Sequence, residues 1–492
     1  MPTHVYLTKV TFNSEKKEIL AEFRNSNSKV VKRFDFYPFL VLPKEMNKEM
    51  VEELLLCVGI KGFRIEKKNK YLKIICSSFD ALKKISNALA LHTGKKPLIL
   101  EPERQFLIQK NWNYYDSFIF ENDLLVKDDT KHDIGFLVTK EVLFKEAVEL
   151  DEEGTLFLVE KFSLSALLRV PLEKVPTSLQ EKTEIFLENI FFANGIGISW
   201  EKNNSVYFAK DFAPYGSYDS VSTIDFSSTW PQLITKNFFN LGVDTINCNC
   251  CKPIKLNDSN LLPSSLIEVE FLEDAFYYDS TSNTFALNYH KSNPFEKNRF
   301  EKKKEFFMKI YPVGPFFKNQ KCLIPITDAK KLLDESKVKL AKKHESVWFC
   351  KNKESFLSKA IRKYNEKSVL LASNNLSYQN TLFEKNNSSF YFTNALVNSV
   401  NILVQEVPFQ LMNQRSSFFS PLLASSILSV QEATLFKFKE FSEKKGYRIL
   451  HLNSKKAFIR GFSSLSLTKS FSKETSLPQP KIYAFSAQTT LD

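Results

Sequence analysis

The sequence predicts an α+β protein in which β-rich and helical segments follow one another along the chain. Apolar residues alternate with a period of two in much of the first hundred residues, as in residues 5–12, which is typical of half-buried strands. The spacing becomes helical between residues 139 and 198. The chain has 492 residues, 43 % of them hydrophobic and 25 % charged, a composition typical of a globular protein of about three domains.

The same periodicities predict the individual elements. In the N-terminal hundred residues we expect two hairpins, over residues 5–23 and 63–76, and two helices, over residues 46–58 and 79–91. Later segments predict the following elements: helices over 156–168 and 179–193, a strand over 221–226, a helix opening at Pro231, a helix over 422–442, and a strand pair over 447–452 and 457–461. After about residue 463 the Ser-, Thr- and Pro-rich composition predicts a loose tail.

Charge and glycine content exclude several kinds of site. The chain has 68 Lys and Arg against 56 Asp and Glu, a net charge of +12, but only 12 Gly. It contains neither of the glycine-rich phosphate-binding patterns GxxxxGK and GxGxxG, and it lacks the GxSxG and HExxH motifs. The positive charge indicates either a polyanionic partner or the bias of an AT-rich coding sequence. Residues 431–492 carry 11 basic and 5 acidic residues, which is half of the excess.

Targeting and cysteine patterns point to the cytoplasm. The N-terminus enters a strand pattern directly and no apolar run approaches 18 residues, so we expect a cytoplasmic protein without a membrane partner. Four cysteines are scattered singly and three cluster as Cys248-Asn-Cys250-Cys251. This cluster has no second CxxC or HxxxH partner, so we expect a structural role for it rather than a zinc site.

A strand that ends in Asp225 carries the main candidate for chemistry. Its carboxylate precedes a helix, where it could hold a hard cation or simply cap the free N–H groups of the helix. The segment that follows, Asp225-Phe-Ser-Ser-Thr-Trp-Pro231, resembles motif A of archaeal family B DNA polymerases, D-x-x-S-L-Y-P. Other segments resemble parts of these enzymes in the same order: residues 36–43, 101–110, 151–198 and 419–450.

This resemblance implies a particular arrangement of the α+β fold. A β-rich N-terminal domain is followed by a palm-like antiparallel sheet with helices and a reduced fingers-like insertion. The implied segments are an N-terminal domain (1–118), an exonuclease remnant with a helical connector (119–200), a first palm part (201–251), a reduced fingers-like insert (252–390), a second palm part (391–462) and a flexible tail (463–492).

The resemblance also implies that catalysis is lost. Family B enzymes hold two metal ions between motif A and a D-T-D segment of motif C. Here Asn453 and Lys455 stand in place of the two motif C acids, so Asp225 is the lone remaining carboxylate. An amide is a weak ligand and an ammonium repels a dication, so we expect no cofactor, and Mg²⁺ only if residual activity survives. Lys455 is predicted to pair with Asp225 in the place of the metal.

Nucleotide-binding positions are degenerate as well. The segment that resembles motif B has Asn394 where the family has the lysine that grips the triphosphate, although it keeps the Asn398-Ser399 pair. A plain buried helix explains this segment equally well. Trp230 stands where the family has the tyrosine that screens the sugar of the incoming nucleotide.

The proofreading and thumb regions are reduced in the same comparison. Asp151 matches the last exonuclease aspartate, but Ala147 replaces the tyrosine four residues earlier. Only 33 residues follow Ile459, so we expect no thumb. Gln488 and Leu491 resemble the start of a sliding-clamp-binding box, which would bind as one helical turn; a chance match explains four residues equally well.

The resemblance therefore implies an inactive polymerase homologue that binds DNA, and other replication or repair proteins, as an accessory factor at the nucleoid. One alternative is residual DNA-directed DNA polymerase activity. Another is a protein-interaction scaffold in a replication complex that makes no contact with DNA.

Overall fold

The computed structural model describes most of the chain, in the following ranges: 3–25, 28–43, 46–57, 59–68, 71–93, 97–121, 124–128, 152–196, 216–251, 256, 262–272, 275–279, 284–288, 318–319, 321–340, 346–379, 388–413, 416–452, 456–460, 464–477 and 479–491. The chain forms two compact units. The first contains residues 1–201 and 363–406, and the second contains residues 202–362 and 407–492.

Two antiparallel sheets form most of the first unit. A five-stranded sheet has the order β3-β2-β1-β7-β8, and a three-stranded sheet has the order β4-β6-β5. Their strands are β1 (Thr3–Asn13), β2 (Glu18–Arg24), β3 (Lys29–Asp35), β4 (Phe39–Pro43), β5 (Phe63–Lys67), β6 (Tyr71–Cys76), β7 (Ser117–Glu121) and β8 (Leu124–Lys127). Both predicted N-terminal hairpins, β1–β2 and β5–β6, are confirmed.

Five helices accompany these sheets: α1 (Lys48–Cys57), α2 (Phe79–Thr93), α3 (Pro102–Lys110), α4 (Glu152–Leu168) and α5 (Leu179–Ala193). A buried ionic network joins α3 to α5. The Arg104 guanidinium donates to the Glu188 carboxylate at 2.7 Å and to Asn189 Oδ1 at 2.9 Å. Burial raises the pKa of Glu188 in spite of the opposing effect of Arg104, so desolvation is the larger influence on this carboxyl group.

The core of the five-stranded sheet is aromatic. Phe23, Trp112 and Phe118 meet edge to face, with ring centroids 4.9–6.1 Å apart. Phe106 of α3 joins them through Trp112 at 5.6 Å. The Gln105 side chain accepts from the backbone N–H of Phe39 at 2.9 Å, which fixes α3 beside the first residue of β4. The large phenylalanine content of the sequence thus goes into ring contacts that close the core.

The second unit contains three further groups of strands. They form a sheet of order β16-β17-β9-β18, a sheet in which β10 pairs with β13, β14 and β15, and a β11–β12 hairpin. These strands are β9 (Gly216–Asp225), β10 (Leu266–Phe271), β11 (Ala275–Asp279), β12 (Thr284–Asn288), β13 (Lys321–Pro325), β14 (Val338–Leu340), β15 (Ser346–Val347), β16 (Ile449–Leu452), β17 (Lys456–Arg460) and β18 (Lys481–Leu491). Every pairing among the described strands is antiparallel, which together with the helices confirms the α+β class.

Six helices complete the described structure: α6 (Trp230–Leu233), α7 (Ile326–Asp334), α8 (Phe356–Gln379), α9 (Ser388–Met412), α10 (Pro421–Lys444) and α11 (Ser464–Thr475). The residues of α8 and α9 are divided between the two units. None of the helices in the described ranges has the length and apolar character needed to cross a membrane.

The C-terminal segment differs from the sequence-based expectation. Residues 463–492 were expected to be a flexible tail, but they contain α11 and the eleven-residue strand β18. Polar composition was a poor guide here, because β18 is stabilised by pairing with β9, more than 250 residues earlier in the chain. Two expected domain boundaries also fall inside elements: 118/119 lies within β7 and 390/391 lies within α9.

Candidate functional site

The candidate site lies at one end of β9. Asp225 is the last residue of this strand, and the register pairs it with Lys456, the first residue of β17. Because β16 ends at Leu452, the connection between β16 and β17 lies at the same end of the sheet. The predicted strand and hairpin are therefore confirmed, and the sheet brings the motif A-like segment beside the hairpin that resembles motif C.

Asp225 already accepts hydrogen bonds from its own chain. Its Oδ1 accepts the backbone N–H of Ser227 at 2.7 Å and also the Ser227 hydroxyl group. These bonds close the turn that leads from β9 to the short helix α6. They correspond to the capping role that the sequence allowed for this carboxylate. Of the helix expected after Pro231, only one turn forms, because residues 234–239 continue in turns.

Lysines stand opposite Asp225 on both neighbouring strands. Lys456 of β17 and Lys481 of β18 are both its register partners. Directly opposed residues in an antiparallel pair have Cβ atoms about 5 Å apart and occupy the same face of the sheet. At an effective dielectric of about 20, a lysine at this distance repels a dication by several kcal/mol. The surroundings of Asp225 thus oppose the binding of Mg²⁺.

Trp230 is a core residue. The resemblance places it beside an incoming nucleotide, but its side chain is only 1 % exposed. The indole stacks on Phe226 at 5.7 Å between ring centroids, and Phe226 in turn meets Phe438 of α10 at 5.1 Å. This corrects the nucleotide-binding expectation, because a buried indole cannot screen a sugar.

The motif B-like residues lie on α9, in the first unit. Asn394 is half-buried, Asn398 is exposed, and Ser399 is buried, so only one of the three side chains faces solvent fully. The neighbouring Asn401 accepts from the Ser368 hydroxyl of α8 at 3.1 Å. This contact supports the alternative interpretation of the segment as a packed structural helix.

Several expected site residues cannot be compared with the structure. Asp151, Asn453 and Lys455 lie outside the described residues, so the predicted Lys455–Asp225 pair stays a prediction. Gln488 and Leu491 do fall in a described element, the strand β18, in register with Asp219 and Gly216. This conformation differs from the helical turn that a clamp-binding box requires.

The structure also assembles a cysteine cluster. Cys248, Cys250, Cys251 and Cys350 have all their sulfur atoms within 4.8 Å of one another, the only such group of His, Cys, Asp and Glu in the described part of the chain. Sequence spacing gave no sign of Cys350, because this residue stands alone, 99 positions after Cys251. The fold therefore corrects the view that the cluster has no further partner.

The four thiols have unequal acidity. Burial raises the pKa of Cys248 to about 12. Burial also acts to raise the pKa of Cys350, but hydrogen bonds from Cys250, Cys248 and the Lys353 and Asn352 backbone outweigh it and bring this pKa down to about 7. Cys350 is thus the group that most readily carries a negative charge at neutral pH.

Comparison with known proteins now bears on the fold. No protein-family model matches the chain, and no curated protein matches it. Among solved structures, it is similar to the family B DNA polymerase from the hyperthermophilic archaeon Pyrobaculum calidifontis, with a TM-score of 0.57 and 10 % sequence identity. The match covers 99 % of this chain and 79 % of the polymerase chain. The chain has a polymerase-like fold. At this identity the similarity concerns architecture and not activity.

The hydrogen bonds of Asp225 predict a measurable role in stability. Replacing Asp225 by Ala removes the acceptor for the Ser227 N–H, so the free energy of unfolding should fall by about 1 kcal/mol. Asp225→Asn keeps an acceptor oxygen and should retain most of that stability. Urea denaturation of the three proteins measures the difference. Equal stability of all three would show that the turn does not depend on this side chain.

Proposed function

We propose that this protein is a catalytically inactive relative of family B DNA polymerases that binds DNA as an accessory factor in replication or repair. The observation that carries the proposal is the position of Asp225 between Lys456 and Lys481 in the sheet. A DNA partner would locate the protein at the nucleoid.

Nucleotidyl transfer requires two divalent ions held by carboxylates from neighbouring strands. The motif A-like strand offers Asp225, whose Oδ1 is already used by Ser227. The hairpin beside it carries Asn453 and Lys455 in place of acids, and Lys456 follows at the register position of Asp225. Each of these replacements weakens metal binding. Together they favour loss of catalysis over residual polymerase activity.

Affinity for DNA is supported by the distribution of positive charge. Half of the net charge of +12 lies in residues 431–492. Within this segment Lys445, Arg448 and Arg460 are exposed. The Arg460 N–H donates to the Arg448 carbonyl at 3.1 Å, which holds these two residues side by side at the far end of the β16–β17 hairpin from Asp225. A surface of this kind suits phosphate groups.

Clamp binding is not part of this proposal. Gln488 and Leu491 belong to a strand paired with β9. A clamp-binding box seats as one helical turn, so binding would require β18 to leave the sheet.

Primer extension tests the loss of catalysis. We expect no nucleotide incorporation with either Mg²⁺ or Mn²⁺ on a primed template, because the carboxylate pair is incomplete. A preparation of Asp225→Ala serves as the control for contaminating polymerase. Incorporation by the natural chain that disappears in Asp225→Ala would establish residual polymerase activity and overturn the proposal.

Salt-dependent DNA binding tests the second part. Replacing both Arg448 and Arg460 by Ala should weaken binding and reduce the slope of log affinity against log salt by about 1.8, the loss expected for two phosphate contacts. The matched control replaces two exposed lysines of the first unit, Lys61 and Lys84, by Ala and should leave the slope unchanged. Fluorescence anisotropy with a labelled duplex provides the affinities. If the natural chain does not bind DNA at low salt, a protein-interaction scaffold becomes the better interpretation.

A further inference from the structure

The cysteine cluster joins two segments that are far apart in sequence. Cys248, Cys250 and Cys251 lie just after α6, and Cys350 lies just before α8. We propose that these four cysteines bind one structural Zn²⁺ ion through their thiolates. This inference does not depend on whether the protein retains catalysis or binds DNA.

The spacing of the sulfur atoms fits a single ion. Four thiolates at about 2.3 Å from a tetrahedral Zn²⁺ are about 3.8 Å from one another. In the structure the Cys350 sulfur lies 3.2 Å from that of Cys250 and 3.9 Å from that of Cys251, and no pair in the cluster exceeds 4.8 Å. A four-iron cluster would hold its thiolates farther apart, because each of them binds a different iron atom.

The same distances distinguish the cluster from a disulfide. A disulfide bond requires about 2.05 Å between its two sulfur atoms. The 3.2 Å between Cys250 and Cys350 is well beyond this length, and all four residues are free cysteines. A tetrahedral set of soft sulfur ligands is the arrangement that selects zinc among the common divalent metals.

Backbone contacts prepare the cluster for a metal. The Lys353 N–H donates to the Cys350 sulfur at 3.3 Å, a contact that stabilises a metal-bound thiolate. The Asn352 side chain donates to the Cys250 carbonyl at 3.3 Å, so the turn after Cys350 also orients the first segment. Cys350 itself is 1 % exposed, which shields its sulfur from bulk water.

The two segments are held in register around the site. The Asn247 N–H donates to the Trp348 carbonyl at 2.9 Å and the Cys350 N–H donates to the Thr245 carbonyl at 2.8 Å. Gly242 allows their close approach, because a Cβ atom there would lie 2.5 Å from the Cβ of Ser355. The ligands are thus brought together by surrounding hydrogen bonds, and the ion does not have to order them alone.

Such an ion would clamp the base of a long insertion. About one hundred residues separate Cys251 from Cys350, and cross-linking the ends of so long a loop removes much conformational freedom from the unfolded chain. Asp244 accepts from the Phe356 N–H, the first residue of α8, at 3.3 Å. The zinc site therefore also fixes the start of α8 relative to the segment that follows Asp225.

Metal analysis of the full-length protein tests the proposal. We expect one zinc per chain in protein purified without chelator, measured by inductively coupled plasma mass spectrometry. Cys350→Ser and Cys250→Ser should each reduce this content at least tenfold. The matched control is Cys57→Ser, which replaces an exposed cysteine of the first unit and should retain one zinc.

A second measurement avoids variants that fail to fold. Stepwise modification of the natural protein with a mercurial reagent should release the zinc, detected with a chromophoric chelator, as four thiols react. Removal of the ion should also lower the melting temperature. Absence of zinc together with failure of the reduced protein to take up Zn²⁺ or Co²⁺ would overturn the proposal. A disulfide between these cysteines in freshly purified protein, or iron with inorganic sulfide in place of zinc, would overturn it equally.

Discussion

The pairing of β9 on both of its edges determines the character of the candidate site. β17 binds one edge and β18 binds the other, and both registers bring a lysine opposite Asp225. A one-residue slip in either pairing would move each lysine to the other face of the sheet. The ladder of backbone hydrogen bonds therefore fixes both the polymerase-like sheet and the positive surroundings of the one motif A carboxylate.

The consequence is an architecture in which the carboxylate serves the fold. Asp225 closes a turn through Ser227, and Trp230 packs on Phe226 inside the core. In a polymerase the corresponding positions of motif A face the metals and the nucleotide. The similarity to a family B polymerase is one of fold, and the local contacts around Asp225 are those of a structural turn. If the cysteine cluster holds zinc, the metal of this unit has a structural role, at the base of α8.

Local patterns predicted the local elements well. The β1–β2 hairpin follows from strict alternation around a polar turn, and α10 follows from its helical spacing between residues 421 and 444. β18 was missed because its sequence is Ser- and Thr-rich and its stability depends on β9, a partner that alternation cannot reveal. Cys350 was missed for a related reason, since a lone cysteine carries no spacing signal and only the fold brings it to Cys250. Asp225 was identified, but its use as a hydrogen-bond acceptor could be decided only from the turn itself.

The most direct test of this account is the binding of Mn²⁺ to the natural chain, followed by the loss of the free-ion signal in electron paramagnetic resonance. Mn²⁺ prefers oxygen ligands, so it reports on a carboxylate site and not on the cysteine cluster. The account predicts that the natural chain and Asp225→Ala bind Mn²⁺ equally weakly. A site with micromolar affinity that disappears in Asp225→Ala would contradict it, because Asp225 would then hold a metal in spite of its lysine neighbours.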